Sequence, residues 1–177
     1  QARERLKPLL ACNNGSTTPS LYAFGHAHLD IAWLWPLQES TRKIARTIAN
    51  QVTLLNEYPE YRFMQSQPHL YGMLRDHYPE IYADLKSAIA SGRIIADGAM
   101  WVEADTNLSG GESLIRQVMY GKKFFRSEFG VESEILWLPD VFGYTGALPQ
   151  ILSGCKCKGF ATQKITWAYH GGEPFPY

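Results

Sequence analysis

An α/β fold built on a parallel β-sheet in alternating βα units is predicted by three observations. Five short β-rich apolar runs alternate with segments of helical period, the pattern of helices wrapped on parallel strands. No internal repeat, low-complexity tract or linker breaks the alternation. Histidine, aspartate and glutamate residues gather just after the first, third and fourth runs, and in a parallel sheet that is the face on which every βα loop opens.

The first run, SLYAFGH at 20–26, is followed by QESTRKIARTIANQVTLLNEYP, where Ile44, Ile48, Val52 and Leu55 recur at helical spacing before Pro59. RFMQS at 62–66 is the second strand; Pro79 then opens a helix with the stripe Ile81, Leu85 and Ile89, closed by Gly92. RIIADG at 93–98 is the third strand. From Gly111 to Phe129 a helix carries Leu114, Val118, Phe125 and Phe129 on one side and stops at Gly130. SEILWLPD at 133–140 is the fourth strand, and a short helix at 147–153 and the strand GFATQK at 159–164 complete the series.

The 177 residues, 45% hydrophobic and 13% aromatic, suffice for one domain with its own core. Seventeen basic residues balance seventeen acidic ones, so no net charge draws the chain to nucleic acid or to an anionic membrane. No apolar run approaches the roughly 20 residues that span a bilayer, and QARERLKPLLACNNG lacks the apolar core of a signal sequence. Cys12, Cys155 and Cys157 cannot all pair within one chain, which points to a reducing, cytoplasmic compartment. Asn14-Gly15-Ser16 and Asn107-Leu108-Ser109 fit the glycosylation pattern and keep a secreted or lysosomal location open. The chain begins without Met and ends in the Gly/Pro-rich GGEPFPY, as a piece of a longer protein would.

FGHAHLDIAWLWPL at 24–37 places His26, His28 and Asp30 on alternate positions, so in an extended segment the three side chains share a face. A lone histidine at a strand end is most often a hydrogen-bonded structural residue. H-x-H-x-D, however, offers the imidazole and carboxylate ligands that suit zinc, and one histidine can instead orient a ligand from behind. Asp140, in LWLPDVFGYTGALPQ, would by itself read as a turn residue or helix cap. Its place on the rim that carries His28 and Asp30, flanked by Trp137 and Phe142, favours a metal-bound carboxylate, because a charged carboxylate among aromatic rings needs a cation. Most aromatic rings fill cores, but Trp33, three residues past Asp30, is placed to stack on a sugar whose hydroxyls reach the ion. Trp101, Glu103 and Asp105 fall on the same rim, whereas Cys155-Lys156-Cys157, with no second pair, is a weak ligand set. These residues alone reach a metal-dependent hydrolase on an α/β scaffold.

HAHLDIAW and LPDVFGYTGALPQ, in this order and with DGAMWVEADTNLSGGESLIRQ between them, resemble the N-terminal part of the catalytic domain of the family 38 glycoside hydrolases, the α-mannosidases, and most closely their neutral cytosolic or vacuolar-type branch. The likeness runs from about Leu21 to the chain end, which leaves residues 1–20 as a lead-in segment and 21–177 as part of that domain. The resemblance implies an incomplete (β/α)7 barrel-like sheet. It also implies a zinc-dependent, retaining exo-α-mannosidase that hydrolyses terminal α-mannosides of oligosaccharides or N-glycans through a mannosyl-enzyme intermediate. By position it implies His28, Asp30 and Asp140 as ligands of one Zn2+ ion, Asp140 also as the nucleophile, and Trp33 and Phe142 as rings lining the sugar subsite. Co2+ would be accepted by similar ligands. His26 matches no ligand position and falls behind the ligands, and Lys164 sits near a basic active-site position of the family. The family's fourth ligand, a histidine, and its acid/base aspartate fall beyond the chain end. His170 matches neither, and neither Glu103 nor Asp105 is assigned as the acid. The fragment alone is therefore expected to be nearly inactive, and oligomers are open to the full-length protein. Two rival readings are a carbohydrate deacetylase, in which the metal activates water, and a noncatalytic sugar-binding module.

Overall fold

The computed structural model describes residues 2–13 and 15–166. Its elements are α1 (Ala2–Leu10), β1 (Gly25–His26), α2 (Leu37–Glu57), β2 (Phe63–Gln65), α3 (Pro68–His77), α4 (Pro79–Ala90), β3 (Ile94–Ala96), α5 (Gly111–Phe129), β4 (Ile135–Leu138), α6 (Leu148–Gly154) and β5 (Gly159–Thr162), followed by a 3-10 turn at Lys164–Thr166. Every strand pairing is parallel. β1, β2 and β3 form one sheet in that order, β4 and β5 form a second, and a parallel bridge between Gly98 and Leu136 joins them. The strands thus follow one another in space as they do in the chain, and all their carboxyl ends open on one face.

The predicted α/β class and parallel pairing are those observed, with three local differences. Only Gly25–His26 of the run 20–26 pairs with β2, and Leu21 and Tyr22 lie exposed. β-Rich composition forms a strand only where a neighbour supplies backbone partners, and β2 is three residues long. A helix that the sequence pattern does not announce, α3, starts with Pro68 and buries Leu70, Tyr71 and Leu74; Gly72 and the short length mask its period. α1 occupies the lead-in segment and buries none of its residues.

The core lies in two clusters. Ile44 and Ile48 of α2, Phe63 of β2, Tyr71 of α3, Leu85 of α4, Ile94 of β3 and Phe125 of α5 meet in the first. Leu114 and Val118 of α5, Leu136 and Leu138 of β4 and Leu148 and Leu152 of α6 make the second. Helix α5 serves both, and it rides directly on the chain after β3: a Cβ at Gly121 would stand 2.0 Å from the Ala99 carbonyl oxygen. Gly98, at φ +130°, lets the end of β3 pass Ser66 so closely that a Cβ would meet the Ser66 Cβ at 2.9 Å. That approach brings the loops after β2, β3 and β4 together. Among the described residues no helix is long and apolar enough to cross a membrane.

Candidate active site

Each of the five strands delivers a polar side chain to this face. Beyond β1 come His28 and Asp30, beyond β2 Ser66 and Gln67, beyond β3 Glu103, beyond β4 Asp140, and beyond β5 Lys164. His28 is the hub. Its Nδ1 makes a short hydrogen bond with Glu103 Oε2. Its Nε2 stands 3.1 Å from Asp30 Oδ1 and 3.6 Å from Asp140 Oδ2. The other Asp140 oxygen, Oδ1, lies 2.7 Å from Lys164 Nζ, which is also 4.8 Å from the centroid of the Phe142 ring.

The segment that carries His28 and Asp30 is held from both sides. Ser40, wholly buried at the start of α2, donates its hydroxyl to the Asp30 carbonyl and accepts from the Ala32 amide and Trp35 Nε1, each at 3.1 Å. Gln67 donates its side-chain amide to the Leu29 carbonyl at 2.9 Å, and its Oε1 accepts from the Glu103 backbone N–H at 3.0 Å. One buried amide therefore sets the β1 and β3 loops in register.

Burial by itself would lower the His28 pKa, but the hydrogen bonds and negative charges of Glu103 and Asp30 overcome it and raise the value to about 9. Burial lowers that of His26, against the pull of Glu103. His26 has other partners: its Nε2 is 3.2 Å from Ser66 Oγ and its ring packs on Trp137 at 5.0 Å.

The remaining candidates divide. Phe142, mostly exposed, is tied to Asp140 through Lys164. Trp33 is exposed three residues beyond Asp30, with its ring edge-on to Trp35 at 5.6 Å. Asp105 turns to its own loop, accepting from the Asn107 and Leu108 amides. Cys155 and Cys157 pack beside the second core cluster, where burial raises both thiol pKa values. His170 lies outside the described residues. Ser40, Ser66 and Gln67 had no signal as site residues beyond the position of Ser66 and Gln67 at a strand end.

Two donors on a tetrahedral zinc, each about 2.1 Å from the ion, stand roughly 3.4 Å apart. The separations of 3.1 and 3.6 Å from His28 Nε2 bracket that spacing, and an imidazole with two carboxylates is a donor set of the borderline kind zinc takes. Among the described residues no group of three or more His, Cys, Asp or Glu side chains is arranged to hold a metal ion; what suits zinc is the chemistry of the donor set and its two spacings from His28.

The chain shares its fold with solved carbohydrate-active proteins. An α-mannosidase from Enterococcus faecalis V583 superposes with a TM-score of 0.71 at 23% identity, covering 78% of this chain and 16% of that one. A 4-α-glucanotransferase from Thermococcus litoralis gives 0.59 at 15% identity, covering 81% and 22%. These two likenesses are of fold. The model of the glycosyl hydrolases family 38 N-terminal domain matches residues 18–175, and the chain belongs to that family. Relatives include the α-mannosidase of Saccharomyces cerevisiae, 43% identical over 152 residues, and α-mannosidase 2C1 of Mus musculus, 41% identical over 155. The matches cover 84% and 88% of this chain, which spans only 14% and 15% of the length of those two relatives.

Proposed function

We propose that the protein is a zinc-dependent, retaining α-mannosidase acting on terminal α-mannosides of oligosaccharides, and that this chain supplies its nucleophile and part of its metal site. The observation that supports this most is the meeting of His28, Asp30, Asp140 and Lys164 at the strand ends of a family 38 chain. The sequential strand order supports a further reading, that these are the first five units of a (β/α)7 barrel-like sheet. On this reading residues 21–177 are part of a catalytic domain and 1–20 lead into it. Three free cysteines favour a cytoplasmic site of action.

In the proposed mechanism Asp140 attacks the anomeric carbon while the glycosidic bond breaks, and water later releases the sugar from the same carboxylate. Lys164 Nζ, 2.7 Å away, fixes one carboxylate oxygen. Trp33 and Phe142 offer exposed ring faces for the C–H surface of mannose. His28, Asp30 and Asp140 would hold Zn2+, which when bound supplies positive charge for the sugar hydroxyls and for the charge that develops in the transition state. Glu103 is unsuited to be the general acid: its side chain is 2% exposed and both oxygens are engaged.

The test is hydrolysis of an aryl α-mannoside by the full-length protein, before and after chelation and return of zinc. Loss and recovery are expected. Asp140→Ala should lower kcat roughly 10^4-fold or more, and a 2-fluoro-mannosyl probe should label Asp140 covalently. A zinc-loaded, full-length protein without mannosidase activity would overturn the reading.

A further inference from the structure

Glu103 is a carboxyl group buried to 2% exposure, and burying such a polar group is costly unless hydrogen bonds compensate. Both of its oxygens are accounted for: Oε2 by His28 Nδ1 and Oε1 by the Ser66 hydroxyl. Ser66 Oγ in turn lies 3.2 Å from His26 Nε2. Among the described residues no lysine or arginine is paired with Glu103, and the side chains that meet its oxygens are His28 and Ser66. The glutamate is itself anchored by the Gln67 amide at its backbone N–H, and Gln67 also grips Leu29, the residue beside His28. Such multiple anchoring holds a carboxylate in one place.

We propose that Glu103 is the positioning residue of the site: by accepting the Nδ1 proton of His28 it fixes the imidazole in the orientation and tautomer that turn Nε2 toward Asp30 and Asp140. An imidazole has only two nitrogens, so a carboxylate that claims the N–H of one leaves the lone pair of the other for a ligand on the opposite side. The Ser66 hydroxyl holds the other oxygen of the Glu103 carboxylate. This inference rests on the metal reading above, and it adds to that reading a residue that touches neither sugar nor ion.

Outer-shell carboxylates of this kind change metal affinity by about 10- to 100-fold when removed. The experiment is an equilibrium competition for Zn2+ and Co2+ against a chromophoric chelator, with the Co2+ absorption spectrum recorded alongside. It compares the full-length protein with Glu103→Gln, Glu103→Asp and Ser66→Ala. Glu103→Gln should bind about 10- to 100-fold more weakly with an altered Co2+ spectrum, and Glu103→Asp should recover part of the affinity. A purely structural Glu103 would leave the affinity and spectrum of the folded protein unchanged, and that result would overturn the proposal. Should Glu103→Gln fail to fold, Ser66→Ala is expected to weaken the ion severalfold, on the order of half a pairwise hydrogen-bond loss; unchanged affinity there would overturn it equally. A wild-type protein that binds neither ion overturns the metal reading itself, whereas strong binding shared by wild type and Glu103→Gln overturns only the role of Glu103.

Discussion

At the scale of single residues, the site is organised by groups that are not themselves the candidates for chemistry. Asp30 keeps its place because Ser40, fully buried, accepts two hydrogen bonds from the turn that follows and donates a third to the Asp30 carbonyl. Ser40→Ala would remove the partner of the exposed Ala32 amide and of the half-buried Trp35 indole N–H, and hydrogen bonds of this kind contribute about 0.5–1.5 kcal/mol each. We expect a loss of that size in a denaturant titration of local unfolding, with a kcat that falls further than the global stability change explains. Trp33→Ala, by contrast, removes an exposed ring whose ring contact among the described residues is the edge of Trp35. Its expected effect is a KM raised about 3- to 10-fold for the aryl mannoside at nearly constant kcat, because stacking is worth about 1 kcal/mol. An unchanged KM would remove Trp33 from the sugar subsite.

Among the elements, Glu128 of α5 ties three helices together. It accepts from the Tyr82 hydroxyl of α4 at 2.8 Å and lies 3.3 Å from Arg75 of α3 and 3.6 Å from Lys86 of α4. The Tyr82 hydrogen bond first, then the Lys86 and Arg75 charges, hold the Glu128 pKa below its ordinary value against the opposing effect of burial. A carboxylate depressed on folding contributes stability that is complete above the unfolded value, near about 4.3, and is lost as pH falls through the folded one. Glu128→Gln should therefore be less stable than wild type at pH 7, and the difference should shrink as pH falls below that value; urea midpoints across this range check it. A difference independent of pH would mean that the contact works by packing alone. The helices that make this joint were unevenly legible. α2, α4 and α5 announce themselves because Ile44, Ile48, Leu85, Leu114, Val118 and Phe125 bury at helical spacing. α3 does not, since ten residues with a central glycine give too few turns for a period to emerge. The rim behaved likewise: His28, Asp30 and Asp140 are marked by their own neighbours, while the links of Glu103 to His28 and Ser66 span 75 and 37 positions and exist only in the folded chain.

For the whole molecule, the site is also a seam. Among the described residues the β1-β2-β3 sheet and the β4-β5 sheet are joined by one backbone bridge, Gly98 to Leu136. Above that bridge, His28 from the first sheet faces Asp140 from the second at 3.6 Å. An ion held by both would close the seam from its open side, and ligand binding adds stability as RT ln(1 + [L]/Kd), about 4 kcal/mol at a thousandfold excess over Kd. The consequence is local, so it is best read by hydrogen–deuterium exchange on the full-length protein rather than by one global melting temperature. Added Zn2+ should slow exchange in 26–31 and 136–142 together, and leave α1, which buries nothing, unchanged. His28→Ala or Asp140→Asn should abolish the slowing in both segments at once, because each removes one side of the clamp. Protection confined to one segment would mean that zinc binds one sheet only, and the seam would then owe its closure to the Gly98 bridge and the packing of α5 alone.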